Sequence, residues 1–371
     1  MNHPEAKQPD TQQPGTKQPS TKQPGMNVLV TGASGLLGST VAARLLAEGH
    51  TVTTLQRRAS GVPGAVDIRG SITDAHTVAR AMAGQDAVIH LAAKVSMTGA
   101  AADFEHVNIT GTSHVLEAAA REGVRGFVHL SSPSVAHTGG SLVGVGAEPA
   151  EPVRARSHYA RTKAAGEAAA LTVHTADFPV VVLRPHLMWG PGDTQLTERI
   201  ITAARQGRLP IIGSGTALVD TLYSDNAVDA ILAALYAVRT SPEVVGGNSY
   251  VLTNGQPRPI GELLARFALA GGVREPRLRV PKGLGMAVAH GIETVWQAPA
   301  VKQMPGLKQV PALQDEPPLT PFLVEQLSTA HWFDQRRTRA DLGWVPQVSI
   351  AEGLERLAAY YGDNTEYYAD R

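Results

Sequence analysis

The chain has 371 residues, 43% of them hydrophobic, which is enough for one large domain or two fused ones with a sizeable core. Lys and Arg number 33, as do Asp and Glu, so the chain lacks the basic excess of nucleic-acid-binding proteins. It has no cysteine, which excludes disulfides, thiolate metal sites and a cysteine nucleophile. No apolar N-terminal segment and no long uncharged apolar run is found, so we expect a cytoplasmic protein without a signal peptide or membrane span.

The first 25 residues repeat a polar, proline-containing unit close to T-K-Q-P-G. Such a segment buries too little apolar surface to offset the entropy lost on ordering. We therefore expect residues 1–25 to form a disordered, low-complexity tail and the folded part to begin at Met26.

Strands and helices are predicted to alternate from Met26 onward. The alternation indicates an α/β fold of the Rossmann type, a doubly wound parallel sheet covered on both faces. The predicted strands are 27–30, 51–55, 65–68, 86–93, 126–132 and 179–185, and the main helices are 36–49, 74–84, 103–121 and 159–173.

The pattern becomes looser after Pro185, where short strands, proline-rich loops and helices mix. We expect a dinucleotide-binding domain over 26–190 and a smaller, mixed lobe over 191–371 that mainly binds substrate. Segments near 217–253 and 330–345 are expected to return to the first domain.

A glycine-rich turn, "VTGASGLLG", follows the first predicted strand and opens a helix. A pyrophosphate must approach the free N–H groups at a helix N-terminus, where side chains would block it, and a glycine also lets the helix pack close to the sheet. The alternative is a plain strand-to-helix turn. The turn residues expected to bind a dinucleotide are Gly32, Ser34, Gly35, Leu36, Leu37 and Gly38.

The second strand ends in Gln56, Arg57 and Arg58. An acidic residue at this place usually binds the ribose hydroxyls of NAD, whereas two guanidinium groups suit a 2′-phosphate. The sequence therefore favours NADP(H), with NAD(H) as the alternative cofactor, unless these arginines form only a solvated basic loop.

The stretch "SHYARTK" places Tyr159 and Lys163 on one face of a predicted helix. The preceding strand ends in "LSSPS" at the carboxyl edge of the sheet, where ligands of such folds bind. An ammonium and a nicotinamide cation would lower the pKa of the phenol, so that it could exchange a proton with a substrate oxygen during hydride transfer. A serine hydroxyl is needed to hold that oxygen.

The chain resembles the extended short-chain dehydrogenase/reductase superfamily from about Met26 to Tyr361. Its matching motifs, in order, are "VTGASGLLG", "HLAA", "NITGT", "LSS", "YARTK", "RPHLMWGPGD", "YSDNAVDAI" and "RADLGWVP". The resemblance implies that Tyr159 is the acid–base residue. It also implies that Lys163 lowers the tyrosine pKa and binds the nicotinamide ribose, and that Asn108 supports the lysine through the adjoining helix.

The resemblance implies that Ser132 holds the substrate oxygen, although Ser131 or Ser134 could take this role because three serines crowd here. His158, next to the tyrosine, could also contact substrate. For Trp189, core packing is the favoured interpretation. The candidate substrate residues are Ser134, His137, His186 and Trp189.

The resemblance also supplies the remaining cofactor contacts. The family often carries an aspartate that reads adenine where this chain has Ser71, which weakens the inference of adenine recognition, although a backbone contact from Ile72 could persist. The other implied contacts are Leu91, Ala92, Ala93, Lys94, Pro185 and Leu187.

Within the superfamily, the segments after the sixth strand look most like the 3β-hydroxysteroid dehydrogenase group, which includes bacterial reductases of 2-alkyl-3-oxoalkanoic acids on the way to olefins. The apolar segment from Leu284 to Trp296, with Met286, Val288 and Ile292, suits a lid over a lipophilic substrate. The alternative is ordinary helix packing.

Three functions stay open: an oxidoreductase for a keto or hydroxyl group on a lipophilic substrate, a nucleotide-sugar epimerase, and a non-enzymatic NAD(P)-binding regulator. The histidines lack metal-ligand spacing, so no metal site is expected. Two further partners stay open, a second copy of the chain in a homodimer and the surface of a membrane. No nucleic-acid partner is expected.

Overall fold

The computed structural model describes residues 25–96, 99–297 and 319–363. Fifteen strands lie in this part of the chain: β1 (Asn27–Thr31), β2 (Thr51–Gln56), β3 (Val66–Arg69), β4 (Ala87–His90), β5 (Phe127–Leu130), β6 (Leu142–Val145), β7 (Val180–Pro185), β8 (Met188–Trp189), β9 (Ile211–Ile212), β10 (Leu218–Val219), β11 (Leu222–Tyr223), β12 (Ser249–Leu252), β13 (Arg258–Pro259), β14 (Arg279–Val280) and β15 (His331–Phe333).

Helices separate most of these strands. They are α1 (Leu36–Ala47), α2 (Ala75–Met82), α3 (Ala101–Glu105), α4 (Thr112–Arg121), α5 (His158–Thr172), α6 (Thr197–Arg205), α7 (Ser224–Thr240), α8 (Pro242–Val245), α9 (Ile260–Ala270) and α10 (Lys282–Gln297), followed by helices Pro321–Ser328, Arg336–Leu342 and Ile350–Asp363. A π-helical segment, His106–Gly111, joins α3 to α4, where the sequence predicted one long α-helix. None of the described helices is long and apolar enough to cross a membrane.

Seven parallel strands form the main sheet, in the order β12-β7-β5-β4-β1-β2-β3. All six predicted strands are in it, and the fold is the predicted doubly wound one. The seventh strand, β12, lies within the segment predicted to return and pairs with β7, Leu252 opposite Pro185.

Helices bury their apolar faces on both sides of this sheet. On one side Val41 and Leu45 of α1 pack in a core that also contains Leu235 of α7. On the other side Met82 of α2 and Leu116 of α4 belong to a second core. The inner strands are therefore buried on both faces, as their continuous apolar runs require, whereas the edge strand β3 is largely exposed.

A smaller lobe holds a four-stranded mixed sheet, β13-β10-β15-β6, and two short two-stranded sheets. Its main core includes Trp189, Tyr223, Phe267 and Leu357. Strand β6 belongs to this sheet although it comes from the chain between β5 and α5. The division of the chain into two domains and the tail stay predictions, and residues 1–24 lie outside the described residues.

Candidate active site

The glycine turn crosses the carboxyl end of β1 in a conformation that needs glycine. Gly32 has a φ of +80°, and a Cβ there would lie 2.9 Å from the backbone nitrogen of Ala92. A Cβ on Gly38 would lie 2.5 Å from the Gly32 carbonyl oxygen, so this glycine sets the close contact of α1 with the sheet. Gly35 is the N-cap of α1 and no side chain caps the helix. The exposed residues here are Ser34, Gly35 and Leu36, with Leu37 half-buried.

The end of β2 brings Gln56 beside this turn. Its side chain is buried, whereas Arg57 and Arg58 are exposed. The carboxamide nitrogen of Gln56 donates to Asp67 (3.2 Å) and to the hydroxyl of Thr54 (3.2 Å). Asp67, on β3, is a carboxylate at this edge that the sequence analysis missed, because it reaches Gln56 only through strand pairing.

The residues predicted to contact the adenine of the cofactor follow β3. Ser71 bonds through its hydroxyl to Thr73 (2.8 Å), and the Ile72 side chain is buried in the core. The Ile72 carbonyl oxygen contacts the His114 ring nitrogen (3.3 Å).

The end of β4 is tied to α5, the helix that carries Tyr159 and Lys163, through Asn108 in the π-helical segment. Its side chain accepts from the backbone N–H of Lys94 (2.7 Å) and donates to the carbonyl of Lys94 (3.1 Å) and to the Thr162 hydroxyl (3.1 Å). Because Thr162 adjoins Lys163 on α5, Asn108 fixes the lysine's helix against this strand. The half-buried residues at this strand end are Leu91, Ala92, Ala93 and Lys94, and the Lys94 ammonium pairs with Asp103 (3.3 Å).

The structure brings Ser132 and Tyr159 together at the carboxyl edge of β5. The side chains of Tyr159 and Ser132 share a hydrogen bond, and Ser132 also accepts from the Ser134 hydroxyl (2.9 Å). Ser131 instead donates to Glu167 (2.5 Å). Of the three serines, Ser132 is therefore the one that contacts the phenol.

Burial raises the pKa of Tyr159 above its usual value, and the hydrogen bond with Ser132 opposes this. The lowered pKa that the sequence predicted belongs to the state with a nicotinamide cation bound beside Lys163, and it stays a prediction. In this structure the Lys163 ammonium donates a hydrogen bond to the Leu130 carbonyl oxygen. Burial lowers the pKa of Lys163 to about 8, against the opposing charge of Glu167 one turn along α5.

A buried ion pair lies behind these groups. Arg184 of β7 donates to Glu167 of α5 from Nε (3.0 Å) and from Nη2 (2.5 Å), and both side chains are almost fully buried. Ser249 of β12 donates to the same carboxylate (2.7 Å). We call Glu167, Arg184, Ser131 and Ser249 the ionic cluster. It was missed from the sequence, although a Glu one turn after Lys163 and an Arg just before Pro185 could have indicated it.

Three buried histidines form a second group, the histidine cluster. His331 of β15 stacks edge-on against His137 (ring centroids 5.0 Å apart) and His186 (5.6 Å). Burial lowers the pKa of His186 to about 4 and that of His331 to about 2, so these rings are neutral. Among the described residues no group of His, Asp or Glu side chains is arranged to hold a metal.

The chain turns sharply after β7. Leu187 has a φ of +44°, the left-handed conformation that disfavours non-glycine residues, and such strain often marks functional sites. Pro185 and His186 are buried beside it. Trp189 is fully buried, donates to Thr221 (2.9 Å) and packs in the smaller lobe's core, the interpretation that the sequence favoured.

The predicted lid segment is α10. Its Ala289 is buried and Met286 packs beside Val324 of the helix Pro321–Ser328. Leu284 and Val288 are exposed by 57% and 45%. Ile292 is half-buried, and the side chain of Trp296 lies outside the described residues.

The residues at the glycine turn fit a dinucleotide. The space before α1 is open at Gly35, where a Cβ would meet only the Gly32 carbonyl oxygen at 3.6 Å. The buried Oε1 of Gln56 has no hydrogen-bond partner within the described ranges, which suits an incoming ribose hydroxyl.

Comparisons with known proteins agree with a dinucleotide-binding site. Residues 28–251, more than half of the chain, match the NAD dependent epimerase/dehydratase family. The chain is an NAD(P)-dependent oxidoreductase rather than a non-enzymatic regulator. It belongs to the NAD dependent epimerase/dehydratase family, within the short-chain dehydrogenase/reductase superfamily that the motifs predicted.

Two relatives cover nearly the whole chain. The 2-alkyl-3-oxoalkanoate reductase of Stenotrophomonas maltophilia is 39% identical over 345 residues, 90% of this chain and 99% of that protein. The 3 beta-hydroxysteroid dehydrogenase/Delta 5-->4-isomerase of Mycobacterium tuberculosis is 30% identical over 349 residues, 90% of each. A dTDP-glucose 4,6-dehydratase of Streptomyces venezuelae, solved with NAD bound, matches in fold alone, with a TM-score of 0.68, 23% identity, and 93% and 99% coverage.

Proposed function

We propose that this protein reduces the 3-keto group of a 2-alkyl-3-oxoalkanoate to a hydroxyl, with a 3β-hydroxysteroid as the second substrate class. The observation that carries the proposal is the 39% identity with a 2-alkyl-3-oxoalkanoate reductase over nearly both full lengths. The contact between Ser132 and Tyr159, next to Lys163 on the same helix, supports it, because these groups suit proton transfer at a carbonyl oxygen.

Each of these residues has a separate task in the proposed reaction. Reduced nicotinamide, when bound, supplies the hydride for C3. Ser132 holds the substrate oxygen by a hydrogen bond, and Tyr159 donates its phenolic proton to that oxygen as negative charge develops there. Lys163 contacts the nicotinamide ribose, and its positive charge favours the phenolate that the proton transfer leaves behind.

We propose that α10 contributes the apolar wall for the substrate's alkyl chains. Each buried methylene should then add up to about 0.8 kcal/mol of binding. The experiment is turnover against a series of 2-alkyl-3-oxoalkanoates of increasing chain length, with a steroid and a nucleotide sugar as controls. kcat/KM should climb with length until the pocket is full, and Ile292→Asn should flatten that climb without changing cofactor affinity.

A preference for the nucleotide sugar, with no response to chain length, would replace the proposal by an epimerase. A preference for the steroid would select the second substrate class. The exposed Leu284 and Val288 of α10 also support contact with a membrane surface, which co-sedimentation with lipid vesicles tests. The homodimer is tested by the mass of the full chain in solution.

NADP(H) is the proposed cofactor, because Arg57 and Arg58 are exposed at the end of β2. Replacing both with alanine should weaken NADP(H) binding by at most about 1.5–3 kcal/mol for each charge-assisted contact, and should spare NAD(H). Titration of both cofactors against the two proteins measures this. Equal affinities for both cofactors, unchanged in the double variant, would contradict it.

A further inference from the structure

A single carboxylate organises the ribose end of the cofactor site. Asp67 of β3 is paired in register with Thr54 of β2. Its Oδ1 accepts from the hydroxyl of Thr54 (2.5 Å) and from the carboxamide of Gln56 (3.2 Å). Its Oδ2 accepts from the backbone N–H of Ser60 (2.9 Å), just beyond the two arginines. Asp67 therefore ties the end of β2 to the loop that carries the proposed 2′-phosphate ligands.

Asp67 also decides how the Gln56 carboxamide is oriented. A carboxylate only accepts hydrogen bonds, so the group facing it must be the NH₂ of Gln56. The carboxamide oxygen is then left facing away, buried and without a hydrogen-bond partner in the described part of the chain. A buried acceptor of this kind is costly until a donor reaches it, and the ribose hydroxyls of a dinucleotide are the donors that approach this strand end.

The carboxylate is negative at neutral pH. Asp67 is exposed, and the slight desolvation it has raises the pKa, but hydrogen bonds from Ser60, Thr54 and Gln56 outweigh this and hold the pKa of Asp67 at about 2. A negative charge here repels a 2′-phosphate, whereas Arg57 and Arg58 attract it.

We propose that Asp67 is a cofactor-specificity residue, which aims the Gln56 oxygen at a ribose hydroxyl and opposes the 2′-phosphate, so that NAD(H) competes with NADP(H) at this site. The inference rests on the proposed binding of a nicotinamide dinucleotide. It concerns how Asp67 changes the ratio of the two affinities, whichever cofactor the wild-type protein prefers.

The test is calorimetric titration of the full chain with NAD⁺ and NADP⁺. In Asp67→Asn the ratio of the NADP⁺ to the NAD⁺ dissociation constant should fall by about 3- to 10-fold, the effect of one partly screened charge. Asp67→Glu keeps the charge and should keep the ratio near that of the wild type. Glu243→Gln removes an exposed carboxylate from α8 and should leave the ratio unchanged.

A ratio in Asp67→Asn within two-fold of the wild type, or a shift toward NAD⁺, would overturn the inference. The wild-type ratio alone tests the proposed NADP(H) preference, so the two failures are distinguishable. If Asp67→Asn does not fold, Gln56→Leu removes the acceptor and leaves Asp67 in place. It should then bind adenosine 5′-monophosphate at least about 3-fold more weakly, the loss of one hydrogen bond, and unchanged binding would overturn the orienting role.

Discussion

The ionic cluster and the histidine cluster bury ionisable side chains in two different ways. Glu167 and Arg184 form a buried ion pair, and Ser131 and Ser249 also donate hydrogen bonds to the carboxylate. Within the described ranges no carboxylate is hydrogen-bonded to the histidines of the second cluster, and burial lowers their pKa values, for His137 against the opposing charge of Glu325, so that they are neutral. A buried ionisable group is either paired or neutralised.

The ionic cluster thus lies behind α5, the helix proposed to carry the catalytic residues, whereas the neutral histidine rings lie beyond β7. Glu167 lies on the same helix as Tyr159 and Lys163, and its partners come from β7, β12 and the residue that follows β5. The ionic cluster therefore fixes α5 against the main sheet. The histidine cluster joins the segment after Ser132 to the smaller sheet, on the side proposed to receive the substrate.

The largest expected effect comes from replacing Tyr159, which belongs to neither cluster. Tyr159→Phe removes one hydroxyl and no cluster contact, so folding and cofactor affinity should be unchanged. The steady-state rate should fall by roughly 10²–10⁴, the usual contribution of a general acid. Lys163→Ala should lower the rate and also raise the cofactor dissociation constant. Normal turnover by Tyr159→Phe would remove the proposed mechanism.

The second test breaks the ionic cluster. Glu167→Gln keeps the shape but leaves the Arg184 charge buried without a counterion, which should lower the free energy of unfolding by about 3–5 kcal/mol. The matched control is Glu352→Gln, which removes the same charge from an exposed pair with Arg356 and should cost about 1 kcal/mol or less. Urea denaturation of both variants measures this, and equal losses would show that burial of the pair has no special effect.

The sequence predicts the parts of this site that lie close together along the chain. The glycine turn follows a strand within a few residues, and Tyr159 and Lys163 are one helical turn apart. Local spacing in the sequence is therefore enough to predict that they belong to the site. The doubly wound parallel sheet follows from the alternating pattern and the family resemblance.

The rest depends on contacts that spacing does not encode. Glu167 meets Arg184 only when α5 packs against β7, and Asp67 meets Gln56 only when β3 pairs with β2. The raised pKa of Tyr159 in the absence of cofactor was not predicted, because the burial of the phenol and the path of the lysine side chain are properties of the folded chain. His331, which joins His137 and His186, comes from a distant strand without a local motif.

The smallest expected effect probes the histidine cluster through pH. His331 has a folded pKa of about 2, well below the usual 6.5, so below pH 6.5 the unfolded chain binds a proton that the folded chain does not. The resulting stability is fully present above pH 6.5 and is lost as the pH falls, by up to about 1.4 kcal/mol per pH unit for each such histidine. His331→Gln should therefore lose less stability than the wild type between pH 6.5 and pH 5 in urea titrations. His76→Gln, at an exposed position, should follow the wild-type slope. If His331→Gln also keeps the wild-type slope, His331 is not held neutral by burial, and the contrast between the two clusters fails.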